Sequence, residues 1–392
     1  MGFSPETQIG TLIDFSRGGG WGKEAPFEGS TRVAVVRGAD FPDVEAGRYT
    51  SLPFRYEKEA KARNVALRAG DIVLENSGGT DTRPTGRTVL ISQELLDVYD
   101  CPVIPASFCR IVRFNASVDS EFIYYWLQNM FNAGRTWGYQ NRSTGLSNFQ
   151  FRTFAEMELV PDLSLETQRQ IGRILAMLDK KRLNNNRLNG YLLEMATAQF
   201  ERELADEKFE FRLSELVELE DSKRVPLNSR DRENRKGPYP YYGVTSVMDY
   251  VDDYLFDGIR VLLGEDGTVI REDGRPVLQY VWGKYWVNNH AHVLKAKMDY
   301  SLEAIYIALA RTAINHIVTG AVQMKISQKN LNGLELELPS RESLDYLKDV
   351  FSLYRNNVEE SKRLECLRDT LLPKLMSGEI DVSKIDLTQL NK

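Results

Sequence analysis

Glu121-Phe-Ile-Tyr-Tyr-Trp-Leu127 and Glu303-Ala-Ile-Tyr-Ile-Ala-Leu309 are one pattern written twice in a chain of 392 residues. Each copy follows a short apolar run of strand character, Cys109-Arg-Ile-Val-Arg-Phe114 in the first case and His292-Val-Leu-Lys-Ala296 in the second. Thr144-Gly145 recurs as Thr319-Gly320, each ahead of a polar stretch and a short run that closes at Pro161 or Pro339. A long helical pattern follows each proline. In the first, Ile171, Ile174, Leu175, Leu178, Leu188, Leu192 and Met195 recur at helical spacing. In the second, Leu344, Leu347, Phe351, Tyr354 and Val358 step by three and four, followed by Leu364, Leu367 and Leu371. Landmarks repeated in the same order describe an internal duplication of one long unit, not a short solenoid repeat.

Between the landmarks the copies diverge, but both are rich in short β-like runs. Val33-Ala-Val-Val36 and Asp71-Ile-Val-Leu74 are examples in the first copy, Arg260-Val-Leu-Leu263 and Val277-Leu-Gln-Tyr-Val-Trp282 in the second. Turn signals such as Glu265-Asp-Gly267 and Asp273-Gly274 separate them. The predicted class is α+β: two mixed globules separated by two long antiparallel coiled-coil helices, related by a pseudo-two-fold axis. The expected boundaries are a first globule over 1–155, a central helix over 156–205, a second globule over 206–335 and a C-terminal helix over 336–392. A helix of ~35 residues spans roughly 50 Å and cannot bury an apolar stripe alone, so the other copy's helix is the expected partner. Pro373 is expected to end or kink the second helix and Gly378 to cap it. The polar run Lys180–Arg187 is either a solvated face or a surface for a partner or DNA.

Composition narrows the class further. Apolar residues make up 42% and charged residues 27%, as in water-soluble globular chains. No run of about 18 apolar residues offers a membrane span. Met1 to Gly10 lacks the basic and apolar segments of a secretory signal, so a cytoplasmic location is expected. Cys101, Cys109 and Cys366 share no metal or redox spacing and are expected to be buried thiols. The net charge of −6 argues against coating DNA through bulk positive charge, but local patches act within a Debye length of about 8 Å. The chain has no Asn-Pro-Pro or Asp-Pro-Pro motif for amino-methylation, no phosphate-binding Gly-x-x-x-x-Gly-Lys loop and no Gly-x-Ser-x-Gly elbow. No catalytic residue is expected.

Leu367-Arg-Asp-Thr-Leu-Leu-Pro-Lys-Leu-Met-Ser-Gly-Glu-Ile380 resembles the closing segment of the specificity subunits of Type I restriction–modification systems. Leu165-Glu-Thr-Gln-Arg-Gln-Ile-Gly-Arg-Ile-Leu175 is similar to their central helix. Gly237-Pro-Tyr-Pro-Tyr-Tyr-Gly243 with Trp286-Val-Asn-Asn-His-Ala-His292 looks like one class of their target-recognition domains. The resemblance covers nearly the whole chain. It implies that each globule recognises half of a split, asymmetric DNA site and that the helices set the spacer. It also implies that the helices dock two modification subunits, which methylate adenine with S-adenosylmethionine, and that restriction subunits add ATP- and Mg-dependent translocation and cleavage. No cofactor or metal is expected in this chain. A recognition subunit of a related Type II-like enzyme, and a coiled-coil scaffold without DNA specificity, are the rival readings.

Under this reading the candidate DNA contacts form two groups. In the second globule, Lys223, Arg224, Arg230, Arg232, Arg235 and Lys236 precede a tyrosine run that includes Tyr242, and Asn288, Asn289 and His290 offer polar edges. In the first, Arg17, Trp21 and Lys23 lie in a glycine-rich stretch, Arg83 and Arg87 flank a Pro-Thr-Gly turn, and Tyr139, Asn141 and Arg142 carry donors suited to bases. His290 and His292 suggest a metal, but the sequence offers no third ligand beside them.

Overall fold

The computed structural model describes residues 6–142, 147–297, 300–320 and 323–382. It divides into two compact units. One holds the residues up to Arg187 together with those from Val358 onward, and the other holds Leu188–Asn357.

In the first unit a four-stranded sheet places Cys109–Phe114 between Ile13–Gly18 and Ile72–Glu75, with Thr88–Leu90 at the far edge. In the second unit Ala291–Ala296 lies between Val217–Leu219 and Arg260–Gly264, with Leu278–Val281 at the edge. The strand order and antiparallel sense are the same. A second sheet repeats as well. Ser30–Val36 pairs parallel with Val103–Pro105 and antiparallel with Phe54–Lys58, as Lys236–Tyr242 does with Lys284–Val287 and Val247–Val251. The two globules therefore share one topology despite their divergent sequences.

Period-two alternation explains why the central strands read as continuous apolar runs. Ile72 and Leu74 face one core while Val73 faces another, and Val112 and Ile111 divide in the same way. In the second unit Val261, Leu263 and Leu294 face the helix-side core, and Leu262 and Val293 face the outer one. Each four-stranded sheet is thus buried on both faces. The duplicated pattern at Glu121 and Glu303 forms the helices Ser120–Asn132 and Leu302–Arg311. Asp119 caps the first by accepting from the Glu121 and Phe122 amides, and Ser301 caps the second by accepting from Ala304 N.

The long helices run over Leu165–Asp206, 42 residues, and Tyr346–Met376, 31 residues. Within each unit they pack antiparallel. Asp179 meets Arg368 and Arg182 meets Glu365 in the first unit, while Asn189 meets Tyr354 and Ala196 meets Tyr346 in the second. The expected apolar seam needs correction. Ile171 and Leu175 are fully buried in the first globule's helix-side core, with Ile174 packed against it. Leu192, Leu347 and Phe351 are buried in the second globule's core. Leu178, Tyr354, Val358, Leu364 and Leu371 are half-buried. Leu188 and Leu367 are 47% and 46% exposed and pack no seam. Buried asparagines stand nearby instead. Asn185 donates to Glu360 Oε2 and Ser361 Oγ in the first unit, and Asn189 donates to Tyr354 O and accepts from Asn357 in the second. Such polar layers hold a helix pair in register at some cost in stability. In the polar run Lys180–Arg187, Lys181 pairs with Glu360, Arg182 with Glu365 and Arg187 with Glu94, while Lys180, Asn184 and Asn186 are exposed.

Three smaller expectations also change. Pro373 lies inside the second helix, which continues to Met376 before Gly378 turns the chain at φ 74°. Cys366 is exposed, whereas Cys109 is buried and its thiol is pushed up to about 12 by that burial. The pairing of Glu6–Gln8 with Leu159–Pro161, and of Phe209–Arg212 with Glu335–Leu338, carries the globules to 161 and 338, past the expected 155 and 335. Thr144-Gly145 lies outside the described residues.

Candidate nucleic-acid interface

The basic stretch of the second globule folds onto its own acids. The turn and short helix Ser229–Asn234 lead into the strand Lys236–Tyr242, whose antiparallel partner Val247–Val251 carries Asp249. Lys236 Nζ lies 2.8 Å and Arg232 Nε 3.3 Å from Asp249, and Arg235 Nε lies 2.9 Å from Asp252. Arg232 also covers the face of Tyr241, and Arg235 that of Trp286. Lys223 is held by Glu220, and Arg224, only 10% exposed at its side chain, by Glu265. Arg230 stays exposed on the short helix. Tyr242 packs edge-on against Tyr285. Asn288 is buried, its Oδ1 accepting from His290 N and its Nδ2 facing the sulfur of Met248. Asn289 and His290 are exposed, with His290 Nδ1 2.5 Å from Asp266. Arg224 and Asn288 thus build the globule, while Lys223, though held by Glu220, stays exposed. Arg230, Asn289 and His290 face solvent, as do Lys223 and Lys236 beside their acidic partners.

His292 does acquire the carboxylate neighbours that the sequence did not place beside it. Asp221, Glu265 and His292 converge, with ligand atoms within 4.8 Å of one another. Their geometry is that of an ion-pair network. His292 Nδ1 lies 2.6 Å from Asp221 Oδ2 while Nε2 donates to Ile326 O, so both ring nitrogens face acceptors. Gln328 donates to the same Asp221 oxygen, Val293 N to the other, and Arg224 and Lys325 approach Glu265. The Arg224 guanidinium supplies the positive charge that a metal ion would bring.

Burial would push the Asp221 carboxyl up, but bonding to His292, the Val293 amide and the Arg224 charge hold it below its ordinary value. Glu75 in the first globule follows the same logic. Burial opposes its charge, and the Arg87 and Arg83 guanidinium groups reverse the shift to below the ordinary value. Carboxyls depressed in the folded state contribute stability above their unfolded values of about 4, and lose it as pH falls through the folded value. The urea midpoint should therefore drop on acidification from neutral pH through the carboxylate range. Glu75→Gln should remove part of that dependence, and an equal slope in this variant would refute the assignment.

In the first globule, Arg83 and Arg87, both expected at DNA, are committed to Glu75 at 2.7 and 2.8 Å. Glu75 is 5% exposed at its side chain, and the Pro-Thr-Gly turn wraps around it. Tyr139 packs on Phe149 and Phe154 and donates to Glu158. Trp21 lies under Arg55, and Lys23 sits over Phe27. Arg17, at the end of the strand Ile13–Gly18, and Asn141 are exposed. Arg142 belongs to the strand Gln140–Arg142, and its side chain lies outside the described residues. The residue that sequence reasoning passed over is Arg110. It stands in a strand quoted only as a landmark of the duplication, and its one signal was a charged residue alternating with buried neighbours.

Residues 206–365 match the family model for the Type I restriction modification DNA specificity domain. A Type I restriction enzyme specificity subunit of Methanocaldococcus jannaschii is 22% identical over 401 residues, covering 91% of this chain and 90% of that one. The second globule and the start of the C-terminal helix thus carry the match to this specificity domain. A provisionally named specificity subunit of Haemophilus influenzae is 30% identical over 127 residues, 32% of either chain. The match to the specificity subunit of the Escherichia coli EcoprrI enzyme covers 40% of either chain, so these two matches span less than half of their relatives' length. The S subunit of a Type I system from M. genitalium shares the fold, with a TM-score of 0.54 at 16% identity over 95% of this chain and 96% of that one. The fold expected from the duplication is thus shared with that S subunit. No helix among the described residues is long and apolar enough to cross a membrane.

Proposed function

We propose that this specificity subunit recognises a split DNA site, each globule contacting one half, and that it has no catalytic centre of its own. The observation that carries the reading is the repetition of one recognition topology on two divergent sequences. Two globules of the same build and different surfaces suit two different half-sites, whereas a symmetric scaffold has no use for the difference. The long helices set the spacer between the halves, because half-site spacing follows protein geometry. They also dock modification subunits. In support, Leu188, Tyr191 and Met195 form an apolar stripe on the first long helix with exposures of 47, 66 and 53%, a pattern typical of a surface awaiting a partner. S-adenosylmethionine, ATP and Mg belong, on this reading, to the partner subunits.

The decisive experiment is co-expression with a methyltransferase chain encoded beside this one, followed by mapping of N6-methyladenine in host DNA. A split motif with one methylated adenine in each half is expected. A stable complex that binds DNA without sequence preference and methylates nothing would favour the scaffold reading. Inserting one helical turn into both long helices should lengthen the tolerated spacer and leave both half-motifs unchanged. A motif of unaltered spacing would remove the helices as the ruler.

A further inference from the structure

Most arginines of the first globule that reach into its interior meet a carboxylate: Arg37 meets Asp40, Arg83 and Arg87 meet Glu75, and Arg113 meets Asp71. Arg110 does not. Among the described residues its polar partner is Ser16 Oγ, 2.9 Å from Nη1, and its guanidinium lies 4.5 Å from the centre of the Phe151 ring. Its Nε is buried without a hydrogen-bond partner. Burial pulls its pKa down, as expected for a desolvated cation without a counter-charge.

The second globule shows what the same place looks like when it is neutralised internally. Arg110 pairs with Leu74 across the sheet, as His292 pairs with Leu263. Phe149 N donates to Asn76 O, two residues beyond Leu74, and Ile326 N donates to Glu265 O, two residues beyond Leu263. His292 and Arg110 are therefore equivalent positions. His292 is wholly buried against Asp221 with Glu265 close by, whereas the counterpart of Glu265 in the first globule is the neutral Asn76. The residue facing Arg110 on the neighbouring strand is Gly18, and a Cβ built there meets nothing within 4 Å. The space over the guanidinium is open on that side.

We propose that Arg110 binds a backbone phosphate of the DNA, the external anion completing in the first globule the charge balance that Asp221 completes inside the second. This rests on the recognition reading above. Arg110 lies between the two stretches singled out in the sequence of this globule, the end of the glycine-rich segment at Arg17-Gly18 and the segment from Tyr139 that leads to Phe151. A phosphate so held positions the duplex without reading its sequence.

The test measures binding of the full chain to a mixed-sequence duplex across a potassium chloride titration. Arg110→Gln can still reach Ser16 but carries no charge. It should flatten the slope of log affinity against log salt by about 0.9, the value for one phosphate contact, and Arg110→Lys should restore most of it. Parental slope in a folded Arg110→Gln variant would overturn the proposal. A second measurement needs no variant. In the parent chain, bound duplex should protect Arg110 from an arginine-specific dicarbonyl reagent, and unchanged reactivity would equally overturn it. A parent chain that does not bind the duplex at all overturns the recognition reading, and this contact with it.

Discussion

Replacing the second globule, from 206 to 339, with another recognition globule should change one half of the methylated motif and leave the other half intact. The cut lies beyond Leu338 because Phe209–Arg212 pairs with Glu335–Leu338, and a cut at 335 would leave the first of these strands without its partner. The incoming globule must also satisfy the helices. Leu192, Ala196, Phe200 and Leu204 of the first long helix and Leu347 and Phe351 of the second share one core with Leu213, Leu216, Ile305, Leu309 and Leu336 of the globule. An exchange that keeps those globule positions apolar preserves the packing while replacing the surface. Each mismatched base pair costs about 1–3 kcal/mol in a specific site, so a half-site of several base pairs should be lost completely for the original sequence. Methylation mapping reads the result. Simultaneous loss of both half-motifs in a complex that still assembles would show that the globules do not recognise DNA independently.

The largest effect on stability is expected at Phe351. Its side chain is fully buried, and its ring meets Tyr280 at 4.9 Å, Tyr306 at 5.9 Å and Tyr354 at 6.1 Å between centroids. It joins the second long helix to the globule's edge strand Leu278–Val281 and to the helix Leu302–Arg311. Phe351→Ala removes a large apolar surface and leaves a cavity that rigid aromatic neighbours cannot fill, for a loss of about 3–5 kcal/mol. Leu353, two residues on, is 54% exposed, and its replacement by alanine should stay within about 0.5 kcal/mol. Urea unfolding of the two variants side by side makes the comparison. A Phe351→Ala variant as stable as Leu353→Ala would refute the account of how helix and globule are joined.

Much of the architecture is legible in the sequence. The paired segments at Glu121 and Glu303, the strand-like runs before them and the helical patterns after them identified the duplication, because amphipathic periodicity records which face of an element is buried. The partner of that buried face was not legible. Ile171 and Leu175 read as one side of a helix pair, but they insert into a globule, and spacing alone does not say whether a groove is formed by a helix or by a sheet with its covering helix. Leu188 and Leu367 continued the pattern and yet lie exposed, while Asn185 and Asn189, polar by type, are buried through hydrogen bonds to residues more than 160 positions away.

The candidate site divides along the same line. Clusters of arginine and lysine were visible, but their availability was not, because charge balance is a property of neighbours in space. Arg83 and Arg87 face Glu75, and Lys236 faces Asp249 across a strand pair. By itself, the sequence determined the α+β class, the duplication and the long helices, all of which depend on patterns local to each element and on the order in which they recur. The tertiary structure decided which cations are spent inside the fold and which remain for a ligand. Arg110 and His292 occupy equivalent places in two copies of one sheet. Only the spatial arrangement shows that, among the described residues, one has its counter-charge and the other does not, since a Coulomb interaction is governed by distance and burial and not by separation along the chain.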